Sequence, residues 1–193
     1  SAESIRTDTA LHEAGISPDS GYLALYPGAG WETKRWPTGH FARLAQHHVQ
    51  APETAQLPIL IIWGPGEEPL CYEILKRAAL PAERMQMAPR TNLRELATLL
   101  GRARLIVGGD TGPIHLAAAL GVAVVGIYGG SDPARNGPWG NARTTLLSEK
   151  ASCTVCWQRN CTRHPRLECL ETLMPERVAE AVRDALANAT HEN

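Results

Sequence analysis

No stretch of this 193-residue sequence holds the roughly 20 consecutive apolar residues that a membrane-spanning helix needs. Its first ten residues, SAESIRTDTA, lack the basic and apolar regions of a secretory signal. Both absences predict a cytoplasmic protein. Charge of one sign is equally scarce: 19 Lys and Arg stand against 20 Asp and Glu, for a net charge of -1. That balance lacks the basic excess of a nucleic-acid binder and the charge runs of a disordered tail, so no nucleic-acid partner is expected. The GxGxxG dinucleotide fingerprint and the GxxxxGK[ST] phosphate loop are both missing, which argues against a nicotinamide enzyme and an ordinary ATPase. There is no internal repeat. Cysteines number only five, yet four of them crowd between Cys153 and Cys169. In a cytosolic protein that crowding predicts free thiols or a metal rather than disulfides.

What is present is a length suited to one buried domain, with 44% hydrophobic and 20% charged residues as in globular proteins. From Tyr22 onward short apolar runs alternate with amphipathic segments. This predicts an α/β fold, a Rossmann-like doubly wound parallel sheet with strands at 22–26, 58–63, 84–87, 105–107, 122–127 and 144–147. Thr38 is placed as the cap of a helix that buries Phe41, Leu44 and Ala45, and Asn92 with Glu95 three residues on forms a capping-box pattern. Pro175 opens a closing helix over 175–187, with Val178, Ala181, Val182 and Ala185 on its buried side. The segment 1–21 reads as a linker or the remnant of an N-terminal helix ending in a Pro-Asp-Ser-Gly turn, and 22–193 as the domain proper.

Ligands of open α/β sheets bind beyond the carboxyl ends of the strands, so the loops at those ends carry the functional information. The first is PGAGWETKRWP at 27–37. Gly28, Ala29 and Gly30 are small enough for a ligand to approach the backbone, and Lys34 and Arg35 bring cations to the rim; a simple tight turn would use the same glycines. The second is GGDTGPIH at 108–115. Gly112 as N-cap and Pro113 as first helical residue would aim unpaired N–H groups and a positive dipole end above the sheet, the arrangement of a diphosphate site. Thr111 adds a hydroxyl, and His115 a donor or cation near neutral pH. Asp110 is unusual beside an anion; it suits either sugar hydroxyls or the loop's own N–H groups. A third loop offers Glu67 and Glu68 to ribose or sugar hydroxyls, and Gly129-Gly130-Ser131-Asp132-Pro133 forms a further glycine-rich exit.

Together PGAGWETKRWP, GGDTGPIHLAAALGVAVVGIYGGSDPARNGPWG and the cysteine-bearing tail resemble the C-terminal domain of glycosyltransferase family 9, the heptosyltransferases, over nearly the whole chain. The resemblance implies a GT-B architecture, in which two Rossmann-like domains face a cleft and the C-terminal one, represented here, holds most of the nucleotide-sugar donor. It implies inverting transfer of heptose from ADP-heptose to the inner core of lipopolysaccharide, with no cofactor required for catalysis. By position, Lys34 corresponds to the lysine near the donor's phosphate and sugar. Asp110, Thr111, Gly112 and His115 correspond to a DTGxxH motif: Asp110 on heptose hydroxyls, the Thr111 and Gly112 amides and His115 on the diphosphate. Lys34, Asp110 and His115 are thus the implied catalytic set. An acidic residue near the ribose falls at Glu67 or Glu68. Ala29 and Gly30 stand where some members have hydroxyl residues, so only their backbone N–H groups would serve. The general base and the acceptor site belong to the N-terminal domain, which these residues do not include, and peripheral contact with the inner face of the inner membrane is implied with them.

Cys153, Cys156, Cys161 and Cys169 begin with the CxxC spacing of a zinc knuckle and continue with looser spacings. They read as reduced thiols in a surface loop or as ligands of a structural zinc remote from catalysis. Cys71 reads as core. Three competing functions remain: a non-catalytic nucleotide-sugar-binding module of a split or truncated enzyme, a GT-B-fold sugar-nucleotide epimerase, which would need no acceptor, and a zinc-dependent interaction module, which leaves the glycine-rich loops unexplained.

Overall fold

The computed structural model describes residues 6, 8, 9, 11, 12, 15–17, 20–139, 143–149, 151, 153 and 155–190. All six expected strands form: β1 (Leu23–Tyr26), β2 (Ile59–Ile61), β3 (Met85–Met87), β4 (Leu105–Gly109), β5 (Ala123–Tyr128) and β6 (Thr144–Ser148). They pair in parallel in the order β3-β2-β1-β4-β5-β6. Parallel strands require crossovers, and the crossovers place helices on both faces, so the central strands must be apolar throughout rather than alternating. Every residue of β1, β2, β4 and β5 is accordingly buried.

The period of two then sorts the core into layers. Leu23, Leu25, Ile59, Ile61, Leu105, Val107 and Val125 pack with α1 (Thr38–Gln50), α2 (Glu68–Ala78) and α7 (Pro175–Thr190). Ala24, Tyr26, Leu60, Ile106 and Val124 face the other way, toward α3 (Leu93–Gly101) and α4 (Gly112–Ala119). Full burial of each Leu, Ile or Val among these contributes about 1.5–3 kcal/mol. There are also two one-turn helices, α5 (Pro133–Asn136) and α6 (Glu168–Glu171).

The local signals act mostly as expected. At α3 the Asn92 side chain accepts from the N–H groups of Arg94 and Glu95, at 2.9 and 3.0 Å, and Glu95 accepts from the Asn92 N–H at 2.9 Å, so the capping box is complete. Thr38 is not a cap: Pro37 is the extended residue at that end and Thr38 is already helical, with no side-chain cap bond. The closing helix reaches Thr190, one turn beyond 187; Val178, Val182 and Ala185 are buried and Ala181 half-buried. Before β1, the described positions 6, 8, 9, 11 and 12 are helical, and Leu11 and Ile16 are buried in the layer that contains α3. Residues 18 and 19 of the expected turn lie outside the described residues. Among the described residues no helix is long and apolar enough to cross a membrane.

The strand order reverses between β1 and β4. Successive connections leave these two neighbours in opposite directions, which opens a crevice at their carboxyl ends. The loops at 27–37 and 110–111 border that crevice.

Candidate functional site

Two residues from those two loops meet across the crevice. The Lys34 ammonium lies 2.7 Å from Asp110 Oδ2, with the lysine side chain 17% and the aspartate side chain 5% exposed. His115 Nε2 is 3.1 Å from Oδ1 of the same carboxylate, and Asn136 Nδ2 donates to Oδ2 at 3.1 Å. Asp110 is therefore the hub, ringed by donors from the β1 exit, from α4 and from the end of α5. Burial pushes its pKa up, but the hydrogen bonds from Lys34, His115 and Asn136 outweigh burial and hold it below the ordinary aspartate value. Its position beside an expected anion site ceases to be odd once Lys34 neutralises it. The ammonium has three donors, so one N–H can serve Asp110 while the others remain for a phosphate.

The depressed pKa carries a pH signature. A carboxyl whose folded-state pKa lies below its unfolded value of about 3.9 contributes its full stabilisation above that pH and loses it as pH falls through the folded value. The destabilisation caused by Asp110→Asn should therefore be largest near pH 6 and shrink below about pH 4. Urea midpoints for both proteins at pH 6 and pH 3 test this, and a gap of equal size at both would contradict it.

α4 begins one residue earlier than expected. Thr111, at φ -145 and ψ 162, is the extended N-cap, Gly112 is the first helical residue and Pro113 follows. No side chain caps this end. The Thr111 hydroxyl instead donates to the Gly109 carbonyl at 3.2 Å, which tightens the loop rather than addressing the crevice. The N–H groups of Ile114 and His115 turn to the Thr111 carbonyl, at 3.1 and 3.3 Å. Because Pro113 has no N–H, any anion at this terminus falls to the amides around Thr111 and Gly112, with the positive end of an eight-residue helix behind them.

The glycines of the first loop separate by what surrounds them. A Cβ on Gly28 would lie 2.0 Å from the Glu67 carboxyl carbon, so the missing side chain makes room for Glu67. Glu67 itself accepts from Tyr26 Oη at 2.9 Å and from the Gly64 N–H at 2.7 Å. Ala29 is buried, and its carbonyl accepts from Arg35 Nε at 2.6 Å. Of the three, only Gly30 has open space around it. Glu67 thus lines the β1 exit with Gly28, but it is not among the groups that touch Asp110. Glu68 is the first residue of α2.

Three further glycines of the strand exits, Gly109, Gly129 and Gly130, accommodate protein rather than ligand. A Cβ on Gly109 would meet the Lys34 carbonyl oxygen at 2.1 Å; one on Gly129 would meet the Thr33 carbonyl at 2.8 Å, and one on Gly130 would meet Thr33 Cβ at 2.9 Å. The short 3-10 turn Glu32–Lys34 is pressed onto the ends of β4 and β5, and this close approach delivers Lys34 to Asp110. Trp36 anchors the far end of the loop, buried against Phe41 with its indole N–H donating to the Leu173 carbonyl at 2.9 Å.

The cysteine-bearing tail reaches this site. Glu32 N–H donates to the Arg159 carbonyl at 2.9 Å, the Thr33 hydroxyl to the Gln158 carbonyl, and Trp157 N–H to the Gly130 carbonyl at 2.9 Å. The segment packs directly on the turn that bears Lys34 because hydrogen-bonding groups of the turn and of the adjoining β5 exit would otherwise lack partners. Sequence reasoning missed Asn136 and Glu32. Asn136 stands at the end of the SDPARN run, but only the fold turns that side chain toward position 110.

The sequence model of glycosyltransferase family 9 (heptosyltransferase) matches residues 3–166. The lipopolysaccharide heptosyltransferase 1 of Pseudomonas aeruginosa is 32% identical over 179 residues, which cover 86% of this chain and 48% of that protein. A lipooligosaccharide heptosyltransferase 2 of Campylobacter jejuni is 30% identical over 174 residues, covering 86% and 51%. Among solved structures, the ADP-heptose lipopolysaccharide heptosyltransferase II of Escherichia coli superposes with a TM-score of 0.76 at 24% identity, over 98% of this chain and 53% of that one. The chain spans about half the length of the relatives it matches. The family model covers most of the chain, and the chain belongs to glycosyltransferase family 9, the heptosyltransferase family.

Proposed function

We propose that this chain is the donor-binding half of an inverting heptosyltransferase that uses ADP-heptose and acts on the lipopolysaccharide inner core. The observation that carries the proposal is the cluster of Lys34, Asp110 and His115 at the uncapped start of α4, in the crevice between β1 and β4. The Escherichia coli relative's ADP-heptose supports the choice of donor. In this reading the diphosphate lies over the Thr111 and Gly112 amides, and Lys34 shares its ammonium between Asp110 and the phosphates. Asp110 accepts from heptose hydroxyls, with Asn136 and His115 fixing its orientation. As the anomeric carbon–oxygen bond breaks, negative charge grows on the departing ADP. Fixed dipoles and a cation already aimed at that position stabilise it without reorganising, a contribution of several kcal/mol in enzymes generally. Gly28, Ala29, Gly30 and Glu67 form the adjoining wall near the ribose.

The division into a segment 1–21 and a domain 22–193 is part of the proposal, as are a general base and acceptor site on an N-terminal domain. A cytoplasmic location at the inner face of the inner membrane goes with it. The 193-residue chain then binds donor and transfers little sugar by itself. Calorimetric titration with ADP, UDP and GDP tests this: ADP should bind most tightly, and Lys34→Ala should weaken it. Equal affinity for all three, or robust heptose transfer by the chain alone, would sink the reading.

A structural zinc held by Cys153, Cys156, Cys161 and Cys169 is a separate proposal. All four are free thiols lining one cavity of about 460 Å³. Burial first, and then the other three cysteines, push the Cys169 thiol up to about 11. The donor set suits zinc. Its arrangement does not yet: among the described residues no three His, Cys, Asp or Glu side chains are gathered to hold an ion, so binding would have to draw the sulfurs together. No step of the transfer passes through this group. Protein purified without an affinity tag should contain about one equivalent of zinc; none would remove the proposal.

A further inference from the structure

Lys34 stands on a single 3-10 turn, and a three-residue turn has too few bonds of its own to fix a side chain. Its inner side is held by the strand exits: the Thr33 carbonyl accepts from Gly130 N–H at 3.0 Å, and the Lys34 carbonyl is pressed against Gly109. Its outer side is held through Glu32. One carboxylate oxygen of Glu32 accepts from Cys161 N–H at 3.0 Å; the other accepts from Arg166 Nε at 3.1 Å and also from Arg166 Nη2. Glu32 is therefore tied to two points of the 156–167 segment at once, while its own N–H donates to Arg159. The same segment reaches the lysine by a second route. Arg159 sits over the Trp31 ring at 5.7 Å from its centre, and Lys34 Nζ sits over that ring at 4.8 Å.

We infer that Glu32 is a positioning residue for Lys34, and that the 156–167 segment acts as a strap that fastens the lysine-bearing turn in its donor-binding geometry. The inference rests on the proposed role of Lys34 in binding the donor. The isolated Glu32–Arg166 ion pair would carry little weight, since the arginine side chain is 60% exposed and such pairs contribute little at a surface. The bond from Cys161 N–H changes that. It comes from backbone, so it fixes the carboxylate relative to the strap rather than to a mobile side chain, and the fork of Arg166 holds the second oxygen. Removing the carboxylate leaves the turn tied to the strap only through the Glu32 N–H, the Thr33 hydroxyl and the Trp157–Gly130 bond, and this looser hold lets the ammonium shift from the narrow region between Asp110 and the α4 terminus. A displacement of this size matters because phosphate affinity depends on where the charge stands.

A double-mutant cycle on the 193-residue chain, with ADP as the probe, separates positioning from general damage. Glu32→Ala should raise the dissociation constant about 5- to 20-fold in the parent background and by less than about twofold in a Lys34→Ala background, where no ammonium remains to be placed. Arg166→Ala, at the exposed end of the same contact, should produce a smaller loss with the same dependence on Lys34, and it serves if Glu32→Ala folds poorly. Equal losses in the two backgrounds would overturn the inference, since they would mark a structural effect that ignores the lysine. So would unchanged affinity in Glu32→Ala and Arg166→Ala when Lys34→Ala does weaken ADP; the donor role of Lys34 then stands and the positioning role alone falls. Unchanged ADP affinity in Lys34→Ala removes both.

Discussion

Replacing Lys34 with alanine should raise the dissociation constant for ADP about 10- to 100-fold, because a hydrogen bond to a charged group is worth about 1.5–3 kcal/mol and each 1.4 kcal/mol is tenfold. Two effects add in the same direction. The first is the lost contact between the ammonium and the diphosphate. The second is the exposure of the ligand to Asp110, whose depressed pKa keeps it ionised and whose charge Lys34 balances at 2.7 Å. His115 and Asn136 remain on the carboxylate as hydrogen-bond partners, so the fold should survive the change. Lys34→Arg should recover only part of the affinity: a planar fork cannot occupy the position of a compact ammonium lodged between Trp31 and Asp110. Calorimetric titration of the three proteins with ADP measures this directly. Affinity within a factor of two across all of them would show that the ammonium does not face the nucleotide.

The second large effect is expected from a single methyl group. Gly109→Ala places a carbon 2.1 Å from the Lys34 carbonyl oxygen, far inside any contact a real side chain tolerates, and the obstacle is backbone held on both sides. Either the 3-10 turn moves outward or β4 shifts, although β4 is buried along its whole length and paired to two neighbours. Overpacking of this kind costs about 1–3 kcal/mol and at times more. The turn should be the part that yields, so Gly109→Ala should both lower the urea midpoint and weaken ADP binding. Gly30→Ala is the matched control: a Cβ at that position meets nothing within 4 Å, and stability should change by no more than about 0.5 kcal/mol. If Gly109→Ala left both stability and ADP affinity unchanged, the close approach of the turn to β4 would be wrong.

Much of this could be read from one dimension. The apolar runs at Leu23, Ile59, Leu105 and Ala123 demanded buried parallel strands, Asn92 and Glu95 announced the start of α3, and the DTGPIH run marked the strand-to-helix turn at the switch point. These signals are legible because they rest on periods of two and on caps within a few residues of each other. The exact cap was harder: Thr111 and not Gly112, Pro37 and not Thr38, since a cap is defined by backbone angles that neighbouring residues of similar propensity satisfy equally well.

Sequence alone determined the α/β layering, the switch-point loops and the presence of a lysine, an aspartate and a histidine in them, because composition and local spacing suffice for each. Tertiary structure alone decided what those residues do to one another. It set Lys34 against Asp110 across 76 positions of chain, turned Asn136 onto the same carboxylate, filled the space above Gly28 with Glu67 and strapped the cysteine-bearing segment over Glu32. Contacts of that span depend on the twist and register of the sheet and on how loops stack over its end, and no local pattern encodes them.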